Sequence, residues 1–359
     1  MAHHPGQLRA AVRLLPWAPE YGTSMQFDAD SGAPNLDVDT TIEQARWAAV
    51  TPEGERASAV QVVDGVRRVE AHAFADGPAG EPLFGLFGSF GVGAVRCEGE
   101  RAWVMEGALR IERRYFQAGG EAREYAFHVG GHELRFAAEQ RDEGSANGLV
   151  DALNRAMLDA ESLLADALAL DDSALTLVDG PLRNLRGPGR RVVGYVKRVM
   201  QWYVGPLEQR LLLTLGTGER TPLFRVTDPQ GPAAPGRYCW YLRIAELPAN
   251  FHPLSGVVRL EVPGGLPLSR AVALADQSSL SIPRLASTPA RDPRAPQNLV
   301  PVGALEATLT HRLGDREWVR RLLTAHLASG EASRDASTSA STSLPTTTIR
   351  ATQPIEVRA

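Results

Sequence analysis

Lysine is almost missing from this chain: of its 38 Lys and Arg residues, only Lys197 is a lysine. Arginine carries charge on a wide planar fork and lysine on a compact ammonium, so the two do not substitute for each other at a tight site. A lone ammonium in an arginine-rich chain therefore marks a stretch to follow. Cysteine is also scarce. Cys97 and Cys239 lie far apart and match no metal-ligand spacing, which excludes a disulfide scaffold and a zinc cluster and fits a reduced, cytoplasmic setting. No apolar run approaches the ~20 residues that span a bilayer, so no membrane role is expected. The start, Met1-Ala2-His3-His4-Pro5, has neither the basic nor the apolar region of a secretory signal. The net charge of −4 excludes steering of nucleic acid by the molecule as a whole and leaves that role to local patches.

Nucleotide-binding signals are missing as well. Gly85-Leu86-Phe87-Gly88-Ser89-Phe90-Gly91 lacks the Lys-Ser/Thr of a P-loop and the spacing of a dinucleotide loop. Glycines in such an apolar strand mark bulges or close packing. Any use of ATP would then belong to a partner.

The alternation of apolar residues predicts strands over 59–64 and 66–74 with Gly65 as a turn or bulge, a third over 83–96, and more around Gly119-Gly120. The period then changes. Val150, Leu153, Met157, Ala160, Leu164, Ala167 and Leu168 make the stripe of a helix over 148–170, with Glu161 at its edge. Strands over 175–178 and 191–196 follow, then a helix through 199–215, strands over 237–243 and 256–262, and one or two helices over 299–327. Near the start, Asp39-Thr40-Thr41-Ile42-Glu43 reads as a helix N-terminus with a capping box. Three parts result: an N-terminal extension with one helix (1–57), a main domain (58–328), and a Ser/Thr-rich tail (329–359) too polar to fold alone. A strand meander, a helix, then alternating strands and helices predict an α/β fold with a mixed sheet.

Three acids stand at places where chemistry is done. Asp64 follows the apolar run 60–63, Asp179 follows 175–178, and Glu161 lies on the helix between them. Carboxylates at buried strand ends are costly unless paired or bound to a cation. Brought together, they would suit Mg²⁺ or Mn²⁺ and the hydrolysis of a phosphodiester, with Lys197 adding positive charge beside the scissile group. Each Asp-Gly pair is equally a turn signal. Between 183 and 198 the chain carries Arg183, Arg186, Arg190, Arg191, Lys197 and Arg198 and no acid, a basic strip beside Asp179.

The order of these elements resembles the NurA family of RNase H-like nucleases. Val62-Val63-Asp64-Gly65 matches its first strand end, and Glu161 its helix carboxylate. Leu177-Val178-Asp179-Gly180-Pro181-Leu182 matches the second strand end, and Val193-Gly194-Tyr195-Val196-Lys197 the lysine strand. The resemblance covers roughly 58–328. It implies an RNase H-like mixed sheet flanked by helices, with additional strands and a C-terminal helical part. It also implies a metal-dependent DNA exonuclease and single-strand endonuclease active in DNA end processing and repair, a homodimer, and a HerA-type hexameric ATPase as partner. Mn²⁺ or Mg²⁺ would sit on Asp64, Glu161 and Asp179, with Lys197 catalytic and Arg183, Arg186, Arg190, Arg191 and Arg294 on the DNA. The family's C-terminal Tyr-Pro…Ala-His element, whose His completes the metal site, has no counterpart in 291–299. Asp292 is the favoured replacement ligand, with Asn298 and His311 as other candidates; alternatively the segment is a loop and the site lacks its last ligand. A catalytically silent DNA-binding or regulatory module and a phosphatase of small esters are the other readings.

Overall fold

The computed structural model describes residues 12–14, 36–129, 132–142, 145–182, 191–197, 202–227, 236–248, 251–288 and 296–329. Its strands are β1 Val12–Leu14, β2 Asp37–Asp39, β3 Ala59–Asp76, β4 Pro82–Glu98, β5 Arg101–Val104, β6 Arg110–Ala118, β7 Tyr125–Val129, β8 His132–Arg141, β9 Ala174–Asp179, β10 Val192–Val196, β11 Phe224–Thr227, β12 Arg237–Arg243 and β13 Val257–Pro263. Its helices are α1 Ala146–Leu168, α2 Pro206–Leu212, α3 Leu268–Ser281, α4 Val300–Arg312 and α5 Arg316–Ser329. No described helix is long and apolar enough to cross a membrane.

One mixed sheet holds the strands in the order β2-β11-β12-β13-β10-β9-β3-β4-β6-β8-β7, with β1 on β3 and β5 on β4. At its centre β6, β4 and β3 are antiparallel, while β9 and β10 run parallel to β3 after the α1 crossover. That is the RNase H-like arrangement. The added strands β11, β12 and β13 extend it antiparallel beyond β10. The fold class is therefore α/β, as the order of elements predicts.

Alternation along β3 sorts the two faces. Val63 belongs to the core under α1, with Leu149, Leu153 and Met157, while Val60 and Val62 belong to the opposite core under α3 and α4, with Leu274 and Leu305. Further along, α5 packs Val319, Leu322 and Leu323 on an aromatic cluster that includes Phe87, Tyr115 and Phe136. Ser145 starts α1, its hydroxyl accepting from Gly148 N at 3.1 Å.

Three expectations are corrected. Strands 59–64 and 66–74 are one strand, and Asp64-Gly65 is no turn: pairing with β4 continues through Asp64↔Gly93 and Gly65↔Val92, and the register shifts only between Val69 and Ala71. No helix forms at the capping-box sequence. Asp39 instead ends β2 and accepts from Thr41, while Glu43 is drawn to the buried Arg220 at 2.7 Å and to Leu223 N. Of the helix expected over 199–215, the described residues from 202 on form only the short α2, because Gly205 and Pro206 open it and a residue before proline avoids the helical region. Both α3 and β11 went unread. The tail lies outside the described residues.

Candidate active site

Asp179 ends β9 and Lys197 follows β10, so the parallel pair delivers both to one edge of the sheet. Gly180 makes this possible. At φ +96° it occupies the left-handed region that favours glycine, and its N–H still bonds Tyr195 O at 2.9 Å while the chain turns away. Lys197 Nζ then meets Asp179 Oδ2 at 2.7 Å and donates to Asn298 Oδ1 at 3.0 Å. Asn298 is fixed from the same sheet, because the buried Tyr195 hydroxyl donates to the neighbouring Gln297 carbonyl at 2.8 Å.

Asp64 lies on the α4 side of the sheet, in phase with Val60 and Val62, and is 5% exposed. Among the described residues its Oδ2 is buried without a hydrogen-bond partner. Burial first, and then the Asp179 charge, push the Asp64 carboxyl up to about 8, against a smaller downward pull from Lys197. Burial disfavours the Lys197 ammonium, but Asp179 and Asp64 outweigh that and raise its pKa above the ordinary lysine value. Glu306 of α4, half-buried, acts electrostatically on both Asp64 and Lys197. The structure thus brings together Asp64, Asp179 and Lys197, and adds Asn298 and Glu306.

Glu161 lies on the opposite, α1 side of the sheet and is not brought onto the face that holds Asp64. It is buried on the packed face of α1, and its Oε1 lies where a methyl group on Gly65 would stand. Asp64 and Glu161 therefore flank one stretch of β3 backbone from opposite faces. Gly65→Ala should displace the Glu161 carboxylate, because the rest of the methyl's surroundings, Gly91 O and Met157 Cγ, lie at 3.1 Å. The expected cost is about 1–3 kcal/mol of stability. If Glu161 takes part in the chemistry, cleavage per folded molecule falls as well. Melting and single-turnover cleavage of the one variant read the two effects separately, and full activity per folded molecule removes Glu161 from the site.

The remaining expected residues are more scattered. Arg191 lies at the start of β10, the far end from Lys197, and bonds Asp172 O and Gln277 Oε1. His311 is exposed near the end of α4 and does not join the site. Arg183, Arg186, Arg190, Asp292 and Arg294 lie outside the described residues.

The residues present suit a hard divalent cation in donor chemistry, with buried carboxylates and one bare oxygen, Asp64 Oδ2. They do not form a closed cage. Among the described residues no three His, Cys, Asp or Glu side chains stand close enough together to hold an ion as they are. The Lys197 ammonium sits on Asp179 instead, in the place of positive charge.

None of the curated proteins matches the sequence. Among solved structures the chain is similar to "Crystal structure of the NurA nuclease from Sulfolobus solfataricus", at 11% identity and a TM-score of 0.38, over 79% of this chain and 88% of that one. The family model of the NurA domain matches residues 88–302, well over half of the chain, and takes in Glu161, Asp179, Lys197 and Asn298. Strands β5 to β13 and the crossover helix α1, with Asp179 at the end of β9, lie under that match, while β3 and Asp64 precede it: the chain belongs to the NurA family.

Proposed function

We propose that this chain, a nuclease of the NurA family, hydrolyses DNA phosphodiesters with a divalent cation at the edge formed by Asp64, Asp179 and Lys197. The observation that carries the reading is the contact of Lys197 Nζ with Asp179 Oδ2, 2.7 Å, beside a buried Asp64 whose Oδ2 is bare. Asp64 and Asp179 would hold Mn²⁺ or Mg²⁺, with Glu161 supporting from behind Gly65. The cation, when bound, would lower the pKa of a water and steady the leaving oxygen.

The chain's own groups have separate tasks. Lys197 offers a compact positive charge to a phosphate oxygen, in a place where burial strengthens it. Asn298 holds that ammonium at 3.0 Å, and Tyr195 holds the segment that carries Asn298. Arg183, Arg186, Arg190 and Arg294 are proposed for the DNA backbone, where arginine pairs with phosphate through two hydrogen bonds. Exonuclease and single-strand endonuclease activity, a homodimer and a HerA-type hexameric translocase complete the reading, in DNA end processing.

End-labelled single-stranded and duplex DNA, incubated with Mn²⁺, Mg²⁺ or EDTA, tests it. Cleavage should require the cation and vanish in Asp179→Ala. Cleavage that persists in EDTA sinks the metal-dependent mechanism. DNA bound but intact in Mn²⁺ favours the silent module, which the lysine seated on Asp179 would suit. Hydrolysis of a chromogenic monoester with DNA untouched favours the phosphatase.

A further inference from the structure

The charge around Lys197 does not balance. Asp179, Asp64 and Glu306 all act on this one ammonium, so the four groups carry two excess negative charges when all are ionised. Asp64, buried with an oxygen that accepts no hydrogen bond among the described residues, is compensated only in part, by a share of Lys197 and by a backbone hydrogen bond from Gly65.

Glu306 comes to this place by close packing. Gly93 is the register partner of Asp64 on β4, and a methyl on it would stand 3.0 Å from Leu305 Cδ1 and 3.5 Å from Leu309 Cδ2. A methyl on Gly91 would meet Leu309 Cδ2 at 3.3 Å. Two glycines on one face of β4 thus leave room for Leu109 and Ile111, which added methyls would meet at 2.6 and 2.8 Å, and for α4 over them, with Leu305 buried and Glu306 next to it. The start of α4 is held at the same edge, because Asn298, two residues before it, accepts from Lys197.

We propose that Glu306 is a further carboxylate of the cation site, acting with Asp64 and Asp179. The resulting donor set is all oxygen and selects Mg²⁺ or Mn²⁺ over ions that prefer imidazole. This rests on the reading of Asp64 and Asp179 as the groups that hold the cation. Glu306 would hold the ion together with Asp64 and Asp179, and the cation would supply the positive charge that Lys197 now gives Asp179. No histidine is needed to complete the set.

Equilibrium binding of Mn²⁺ to the full chain without DNA, read as loss of the free-ion EPR signal, tests the proposal independently of cleavage. Glu306→Gln keeps the shape and removes one charge, so it should fold as wild type in EDTA and bind Mn²⁺ about tenfold to a hundredfold more weakly. Glu306→His should bind, with its preference moved from Mg²⁺ toward Co²⁺ and Zn²⁺. Unchanged Mn²⁺ affinity in Glu306→Gln overturns the role of Glu306 and leaves the other two carboxylates standing. Wild-type protein that binds no Mn²⁺ overturns the cation site altogether, and Glu306 with it.

Discussion

In EDTA, Asp64→Asn should melt at a higher temperature than the wild-type protein, although it cleaves no DNA when Mn²⁺ is added. The sign follows from linkage. The folded-state pKa of Asp64 is raised, from 3.8 to about 8, so the folded protein holds this proton more tightly than the unfolded chain does. The contribution to stability is complete below 3.8 and is lost as pH rises toward about 8. At pH 7 the loss approaches roughly 4 kcal/mol at about 1.36 kcal/mol per pKa unit, an upper bound that relaxation around the carboxylate reduces. Asparagine fills the same space without charge and removes the loss. For a chain of this size each kcal/mol moves the melting temperature by about 1–2 °C, so a gain of a few degrees is expected at pH 7, shrinking toward zero near pH 4. The same change removes a buried carboxylate from the proposed cation site, and cleavage should fall at least about 10²-fold. A variant that is both less stable in EDTA and still active would show that Asp64 is an ordinary buried acid.

This opposition of stability and function was only half legible in the sequence. Asp179-Gly180 reads as a strand end followed by a turn, and the structure keeps it so, because Gly180 adopts the positive φ that such a turn requires. Asp64-Gly65 carries the same local signal and does something else. Opposite it runs β4, a strand of matching length whose pairing passes straight through both residues, so tertiary pairing overrides the turn chemistry. Local sequence cannot distinguish the two cases. The glycine at 65 serves to admit Glu161 rather than to reverse the chain.

The order strand, strand, helix, strand, strand was readable because the apolar period changes from two to about four between β8 and α1. α3 escaped because its buried face is full of serines. Ser278, Ser279 and Ser281 donate to the carbonyls of Ala275, Ala275 and Gln277, so hydroxyls sit in the core without an apolar stripe to announce them. The false helix near residue 40 has a long-range cause: Glu43 is taken up by Arg220, a partner far along the chain. Glu306 was out of reach for a similar reason. Its neighbourhood depends on Gly91 and Gly93, more than two hundred residues earlier, and nothing around Leu305-Glu306-Ala307 distinguishes that acid from any other on a helix. Lys197, by contrast, stands out by rarity alone, and the structure seats it on Asp179; its part in cleavage is a proposal.

Lys197→Arg should therefore lose most cleavage while DNA binding is largely kept. Nζ now fits between Asp179 Oδ2 at 2.7 Å and Asn298 Oδ1 at 3.0 Å, and the side chain is 19% exposed. A guanidinium preserves the charge but spreads it over a plane that cannot occupy the same point. It would grip Asp179 through two hydrogen bonds and press on Asn298, and so hold the carboxylate against any incoming cation. Removing one well-placed charge-stabilising donor typically costs about 10²–10³ in rate. The variant should stay folded, because Asp179 keeps a cationic partner, and that separates lost chemistry from lost structure. Single-turnover cleavage at saturating Mn²⁺, with DNA affinity followed by fluorescence anisotropy, decides the matter. Rates equal to wild type would put Lys197 outside the reaction, and its contact with Asp179 would then be only an ion pair at the edge of a sheet.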